Sequence, residues 1–136
     1  MNAAQETVAR RTLEGSETDT MSFPEGVGML MAAGFDGYAV DFRLGSRTYY
    51  LPDGEALALD ARKTAARMDV SFDAAAVRAA IREAQAMVPG YSYNGFCEKA
   101  AAAGCAGYIV SLPGRRVLYY GRNGETHTEY FPGTQP

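Results

Sequence analysis

The sequence predicts an α+β fold in which one helix–three-strand unit occurs twice, its hairpins joined in an antiparallel sheet with helices packed on one face. Three observations predict it. Phe23–Glu55 falls without a gap on Tyr93–Glu125 when the chain is slid by 70 residues. Apolar residues at helical spacing run up to a glycine in both copies. Runs rich in aromatic and β-branched residues then alternate with glycine-bearing turns.

The repeat carries ten identities over 33 positions, where average residue usage gives roughly two. They are Ala32/Ala102, Ala33/Ala103, Gly34/Gly104, Gly37/Gly107, Tyr38/Tyr108, Val40/Val110, Tyr49/Tyr119, Tyr50/Tyr120, Gly54/Gly124 and Glu55/Glu125. Each copy opens on a capped helix. Ser22 and Glu25 form a capping-box pattern around Pro24, which suits the first helical turn. Val27, Leu30, Met31 and Gly34 share one helical face, and Gly34 supplies a left-handed end. In the second copy Ser92 caps without a matching Glu, and the apolar face shrinks to Cys97, Ala100 and Ala101.

Strands are predicted over Gly37–Arg43 and Gly107–Leu112, Arg47–Leu51 and Arg116–Gly121, and Glu55–Leu59 and Glu125–Phe131. Asp53-Gly54 and Asn123-Gly124 predict type I′ hairpins between the last two of each copy. Asp60–Asp69 is charged and reads as a loop. Val77, Ala80, Ile81, Ala84 and Val88 draw a helical stripe that Pro89-Gly90 ends, and Ala3–Leu13 is its weaker counterpart. The expected organisation is one domain over residues 1–136, with units at about 1–59 and 71–132 and a linker at about 60–70.

Several function classes drop out on composition. No run of about 18 apolar residues exists, so no membrane helix is expected. The first twenty residues lack the apolar core of a secretory signal, which makes the cytoplasm the expected compartment. Net charge is −3 and the pI near 5.1, against the basic patch that nucleic-acid binders carry. Cys97 and Cys105 match no zinc spacing and read as reduced, buried small hydrophobes. No G-x-S-x-G, P-loop, G-x-G-x-x-G or H-E-x-x-H occurs. No metal and no cofactor is therefore expected.

Ser22-Phe-Pro-Glu25, Ala33-Gly34 followed by Tyr38, and Tyr49-Tyr50-Leu51-Pro52-Asp53-Gly54 resemble the YdfO/YbcV-like proteins of bacteria. Gly121-Arg122-Asn123-Gly124-Glu125-Thr126-His127 fits the same pattern. That set is catalogued as a domain of unknown function, number 1398, and some members carry the label "phage envelope protein". The resemblance spans about Ser22 to Pro132. It implies a small α+β fold and carries no activity, cofactor or site residue across.

The residues themselves leave three readings open. The first is a non-catalytic module for a small ligand or a protein partner, using the outer sheet face or the junction of the units. Its candidate contacts are Tyr38, Tyr49, Tyr108, Tyr119, Arg47 and Arg122, with Arg43 and Arg116 beside them. One ring of each tyrosine pair is expected under the helices and the other outward. The second is a small enzyme around Glu125, His127 and Tyr120. Strand alternation puts Glu125, His127 and Glu129 on one face about 7 Å apart, where the first copy has Glu55, Leu57 and Leu59. An imidazole beside a carboxylate suits general acid–base work. The bland alternative is a solvated or charge-protected edge. A Cys97–His127 pair is a weaker nucleophile candidate. Glu55 and Glu125 either accept turn amides, pair with Arg47 or Arg122, or meet near a central axis. The third reading is a structural homodimer that pairs strand edges.

Overall fold

A computed structural model describes residues 1–133; the last three positions of the expected domain lie outside them. Four helices and six strands follow one another as α1 Ala3–Glu17, α2 Phe23–Ala32, β1 Gly37–Asp41, β2 Ser46–Tyr50 and β3 Ala56–Asp60. Then come α3 Ala74–Ala86, α4 Tyr93–Ala102, β4 Cys105–Ser111, β5 Arg116–Gly121 and β6 Thr126–Tyr130. The fold is α+β, with each helix pair followed by three strands.

The caps are those that the local sequence dictates. Ser22 accepts from the Glu25 amide while Glu25 reaches back to the Ser22 amide, closing a capping box. Ser92 accepts from Gly95 N at 3.0 Å. Asn2 and Gln5 form a further box at the start of α1, which runs to Glu17, past the expected Leu13. Gly34 and Gly104 take φ of +89° and +91° just after α2 and α4. In α3, Val77, Ala80 and Ile81 are buried, and a fully buried Val or Ile contributes about 1.5–3 kcal/mol. In α2, Leu30 alone is buried. Met31, expected inside, is 49% exposed; Leu30 and the half-buried Val27 form the inward stripe of that helix.

The sheet is a six-stranded antiparallel array in the order β3-β2-β1-β4-β5-β6. Its centre shows how the copies meet. Across the β1–β4 seam Ala39 pairs with Ile109, its own repeat mate, flanked by Tyr38 with Val110 and Val40 with Tyr108. A pseudo-twofold axis therefore passes between Ala39 and Ile109. Gly37 and Gly107 survive in both copies for a steric reason. A Cβ on either would lie 2.1 Å from a backbone oxygen across the seam, Val110 O or Val40 O.

Two rows of side chains cross the inner, helix-covered face. One runs Leu57, Tyr49, Tyr38, Val110, Val117, Glu129. The other runs Leu59, Arg47, Val40, Tyr108, Tyr119, His127. The helices and these rows close one continuous core that holds Leu13, Phe35, Phe42, Phe72 and Phe96 as well.

The β2–β3 and β5–β6 hairpins are not type I′. Gly54 N donates to Leu51 O and Leu51 N to Glu55 O, with positive φ at Gly54 but not at Asp53. That is a type I turn followed by a left-handed bulge residue, the pattern of three-residue loops. Pro52 suits the first central position of that turn, since its ring holds φ near −65°, and Arg122 takes the same place in the second copy. The second copy repeats the bonds at Gly121, Gly124 and Glu125.

Candidate functional site

Strand alternation turns Arg47 and Tyr49 to the inner face and Thr48 and Tyr50 to the outer one. Arg47 is 2% exposed: its side chain lies under the helices, toward the junction of the units and not on the outer sheet face. Its Nη2 donates to Tyr93 OH at 2.9 Å, and Nη1 makes longer contacts to Ser16 Oγ at 3.3 Å and Tyr49 OH at 3.4 Å. Tyr93 OH in turn sits 2.7 Å from Tyr108 OH. Thr12 donates its hydroxyl proton to Ala9 O, so Tyr49 OH donates to Thr12 Oγ1 at 2.8 Å and its oxygen is left to accept from Arg47. The guanidinium carbon also lies 4.9 Å from the Tyr38 ring centre and 5.3 Å from that of Tyr93, within cation–π range.

Each partner arrives by a simple local device. Thr12 and Ser16, one helical turn apart on α1, share the face above β2. Ser92 caps α4 so that Tyr93 stands at its first position, and Asp19, at φ +56°, accepts from the Tyr93 amide at 2.8 Å. Asn94 Nδ2 donates to Glu17 O at 3.2 Å. These bonds tie the end of α1 to the start of α4, and thus one unit to the other.

Arg47 has no counter-ion among the described residues, and its Nε is buried without a hydrogen-bond partner among them. Burial works against the cation, but the phenol oxygens around it outweigh that and hold its pKa well above the ordinary arginine value; it is charged at any ordinary pH. Burial pushes the Tyr38 phenol up to about 12 and raises Tyr93, Tyr108 and Tyr119 as well. The rings are neutral hydrogen-bond partners, not anions.

Beside Arg47 lies a cavity of about 10 Å³ walled by both units, among others by Leu13, Glu17, Asp41, Tyr93, Asn94 and Cys97. That is room for about one water. Residues Ala61 and Arg62 complete the wall. They open the segment between β3 and α3, which side chains hold in place: Glu17 accepts from Arg62 N, and Glu98 accepts from Ala65 N and Ala66 N and pairs with the Arg62 side chain at 2.9 Å. A wider groove of about 370 Å³ shares Leu13 and Glu17 with the cavity and runs between α1 and β3.

The remaining sequence candidates separate. Tyr38, Tyr49, Tyr108 and Tyr119 are all buried on the inner face, so none of these four candidate contacts lies on the outer sheet face. Strand register pairs Tyr38 and Tyr108 with the inward member of each tyrosine pair, Tyr49 and Tyr119. Tyr50 and Tyr120 are the outward rings. His127 therefore points inward with Tyr119, and Tyr120 points to the opposite face, so Glu125, His127 and Tyr120 do not converge. Glu125 sits in the turn, bonded to Asn123. His127 Nε2 instead meets Glu129 Oε2 at 2.6 Å, and Glu129 Oε1 pairs with Arg82 of α3 at 2.7 Å. Burial would raise the Glu129 carboxyl, but Arg82 and His127 outweigh it and hold it below its usual range.

Glu55 pairs with the Met1 amino group. It and Glu125 flank opposite edge strands, five strand spacings or about 24 Å apart, so they do not meet at the axis. Arg122 and Arg43 are exposed, and Arg116 lies 4.7 Å from the Tyr130 ring centre on the outer face. Burial pushes the thiols of Cys97 and Cys105 up to about 12 and about 11, which leaves neither as a thiolate nucleophile at neutral pH. No helix among the described residues is long and apolar enough to cross a membrane.

A family model described as "Protein of unknown function (DUF1398)" matches residues 11–129. The chain belongs to that family. No curated protein matches it. For this DUF1398 chain, then, the site has to be read from its own geometry. Sequence reasoning named Arg47, Tyr38, Tyr49 and Tyr108 but missed Tyr93, Thr12 and Ser16. Tyr93 carried a usable signal, since its repeat mate is the non-hydroxylated Phe23 just as the mate of Arg47 is Val117.

Proposed function

We propose that the protein is a non-catalytic module that binds a small ligand at the junction of its two units, above Arg47. One observation carries the reading: a guanidinium 2% exposed, on the wall of an inter-unit cavity, with no carboxylate of the described residues in ion-pair distance. A buried cation is costly unless paired, and the second unit fills the same position with Val117. Neutral phenols and ring faces hold the cation in place without neutralising it, and a bound anion would supply a counter-charge. The adjoining groove between α1 and β3 is within the size range of small-molecule sites. An enzyme reading gathers less support, because the thiols and phenols near the cavity are held protonated and Glu129 is already engaged by Arg82.

Native mass spectrometry of gently purified protein, compared with the denatured chain, tests the proposal. A discrete extra mass on the wild type that is missing from folded Arg47→Met is the expected result. An extra mass that survives Arg47→Met would put the site elsewhere. Bare chain mass in whole multiples would favour a self-assembling module instead.

A further inference from the structure

We infer that the ligand presents a carboxylate, a single negative charge that pairs with Arg47. The inference rests on the reading of the inter-unit cavity as a binding site and goes on to its chemistry.

The donors that await a partner are those of one side chain. A guanidinium offers five N–H groups. Ser16, Tyr49 and Tyr93 take bonds from Nη1 and Nη2, while Nε has no acceptor among the described residues. Buried polar groups are nearly always satisfied, and an unsatisfied edge of a charged, planar fork matches the two oxygens of a carboxylate.

The carboxylates of the described residues do not fill that edge, although two stand on the cavity wall. Glu17 Oε2 accepts from Arg62 N at 2.6 Å. Asp41 Oδ1 accepts from Arg43 N at 2.9 Å and Leu44 N at 3.0 Å. Both are turned to backbone amides that fold the surrounding loops.

Charge then selects among anions. One buried cation is neutralised by one negative charge. A phosphate dianion would leave an excess charge in a poorly solvated site that already contains Glu17 and Asp41. Neutral phenols surround the cation, and the other positive group that the described residues place on this wall, Arg62, is paired to Glu98. Because the cavity holds only about one water, the ligand enters as residues 61–66 lift. That segment lies outside any helix or strand and is held by side-chain bonds to Glu17 and Glu98, the kind of element that opens locally.

The test uses matched pairs of probes on the whole protein. Sodium acetate and benzoate are compared with acetamide, benzamide and sodium phosphate at equal ionic strength. The readouts are the backbone amide resonances of the cavity wall and the Arg47 Nε–H side-chain resonance. The acids are expected to shift both sets saturably and to bind at least tenfold tighter than the amides and phosphate. Acids and amides that bind within threefold of each other at the wall would leave the binding site standing and overturn the carboxylate. Phosphate that binds as tightly as the acids would overturn the single-charge argument. Wall resonances that no probe moves would overturn the carboxylate and the site together. Arg47→Gln should remove the acid response, and if that variant does not fold, the wild-type series decides alone.

Discussion

Arg47 and Val117 occupy equivalent places on the inner face, yet one is a cation and the other a hydrocarbon. The molecule thus contains its own comparison for what the position requires of the fold. Replacing a buried ion pair by apolar residues of similar volume is commonly neutral or stabilising by about 1–4 kcal/mol, and Arg47 lacks an opposite charge among the described residues. Arg47→Met should therefore raise stability by about 1 kcal/mol, since Tyr93 and Tyr49 keep Tyr108 and Thr12 as partners. Urea denaturation at neutral pH measures it. A large loss would mean that the guanidinium itself holds the core together. Glu129 makes the opposite kind of contribution. Its folded-state pKa is depressed by Arg82 and His127 against the effect of burial. The stability it adds is thus present above the unfolded carboxylate range, near 4.3, and is lost as pH falls through the folded value. Glu129→Gln should cost about 1 kcal/mol at pH 7 and flatten the loss of stability on acidification. Equal acid profiles for variant and wild type would count against the pairing. Strand alternation made the inward turn of Arg47 legible, because it is two residues before Tyr49. Its lack of a counter-ion among the described residues was not, since that depends on where Glu17 and Asp41 send their oxygens.

Among the elements, α2 carries the least favourable composition for a helix, with Gly26 and Gly28 in its ten residues. A Cβ at Gly28 would meet nothing within 4 Å. Gly28→Ala should accordingly stabilise the protein by about 0.8 kcal/mol, the ordinary helix-propensity gap, read as a raised thermal midpoint. A lowered midpoint would show that the backbone there makes an approach that static packing does not reveal. The same contrast marks what the sequence could convey about elements. Caps at Ser22 and Ser92 and the glycine ends at Gly34 and Gly104 depend on neighbours within a turn, and they stand as read. The hairpin type was misread from Asp53-Gly54 alone. The turn is centred one residue earlier, on Pro52-Asp53 and Arg122-Asn123, with each glycine as the bulge residue, and the dipeptide alone does not separate the two placements. The side-chain bonds from Glu98 to Ala65 and Ala66 span more than thirty residues, and no local pattern signals them.

At the scale of the molecule, the repeat offset predicted more than two similar halves. Because Ala39 faces Ile109 and the register runs symmetrically outward, the two units share a seam made of equivalent strands. The core is continuous across it: Tyr38 of the first unit contacts Tyr108 of the second, with ring centres 6.3 Å apart, and Arg47 is bonded to Tyr93. Neither half can shed its partner without exposing a central strand edge and half of this aromatic layer. Unfolding should therefore be a single transition, with the far-ultraviolet backbone signal and the near-ultraviolet tyrosine signal changing together. Gly37→Ala probes the seam. Its Cβ would come within 2.1 Å of Val110 O, a clash with backbone that cannot rotate away, and a cost of about 1–3 kcal/mol is expected. If the units are coupled as the seam requires, that one substitution in the first unit moves the whole transition to lower denaturant while keeping the two signals superimposed. A variant that unfolds in two steps, with one step at the wild-type midpoint, would show instead that the second unit stands without the first.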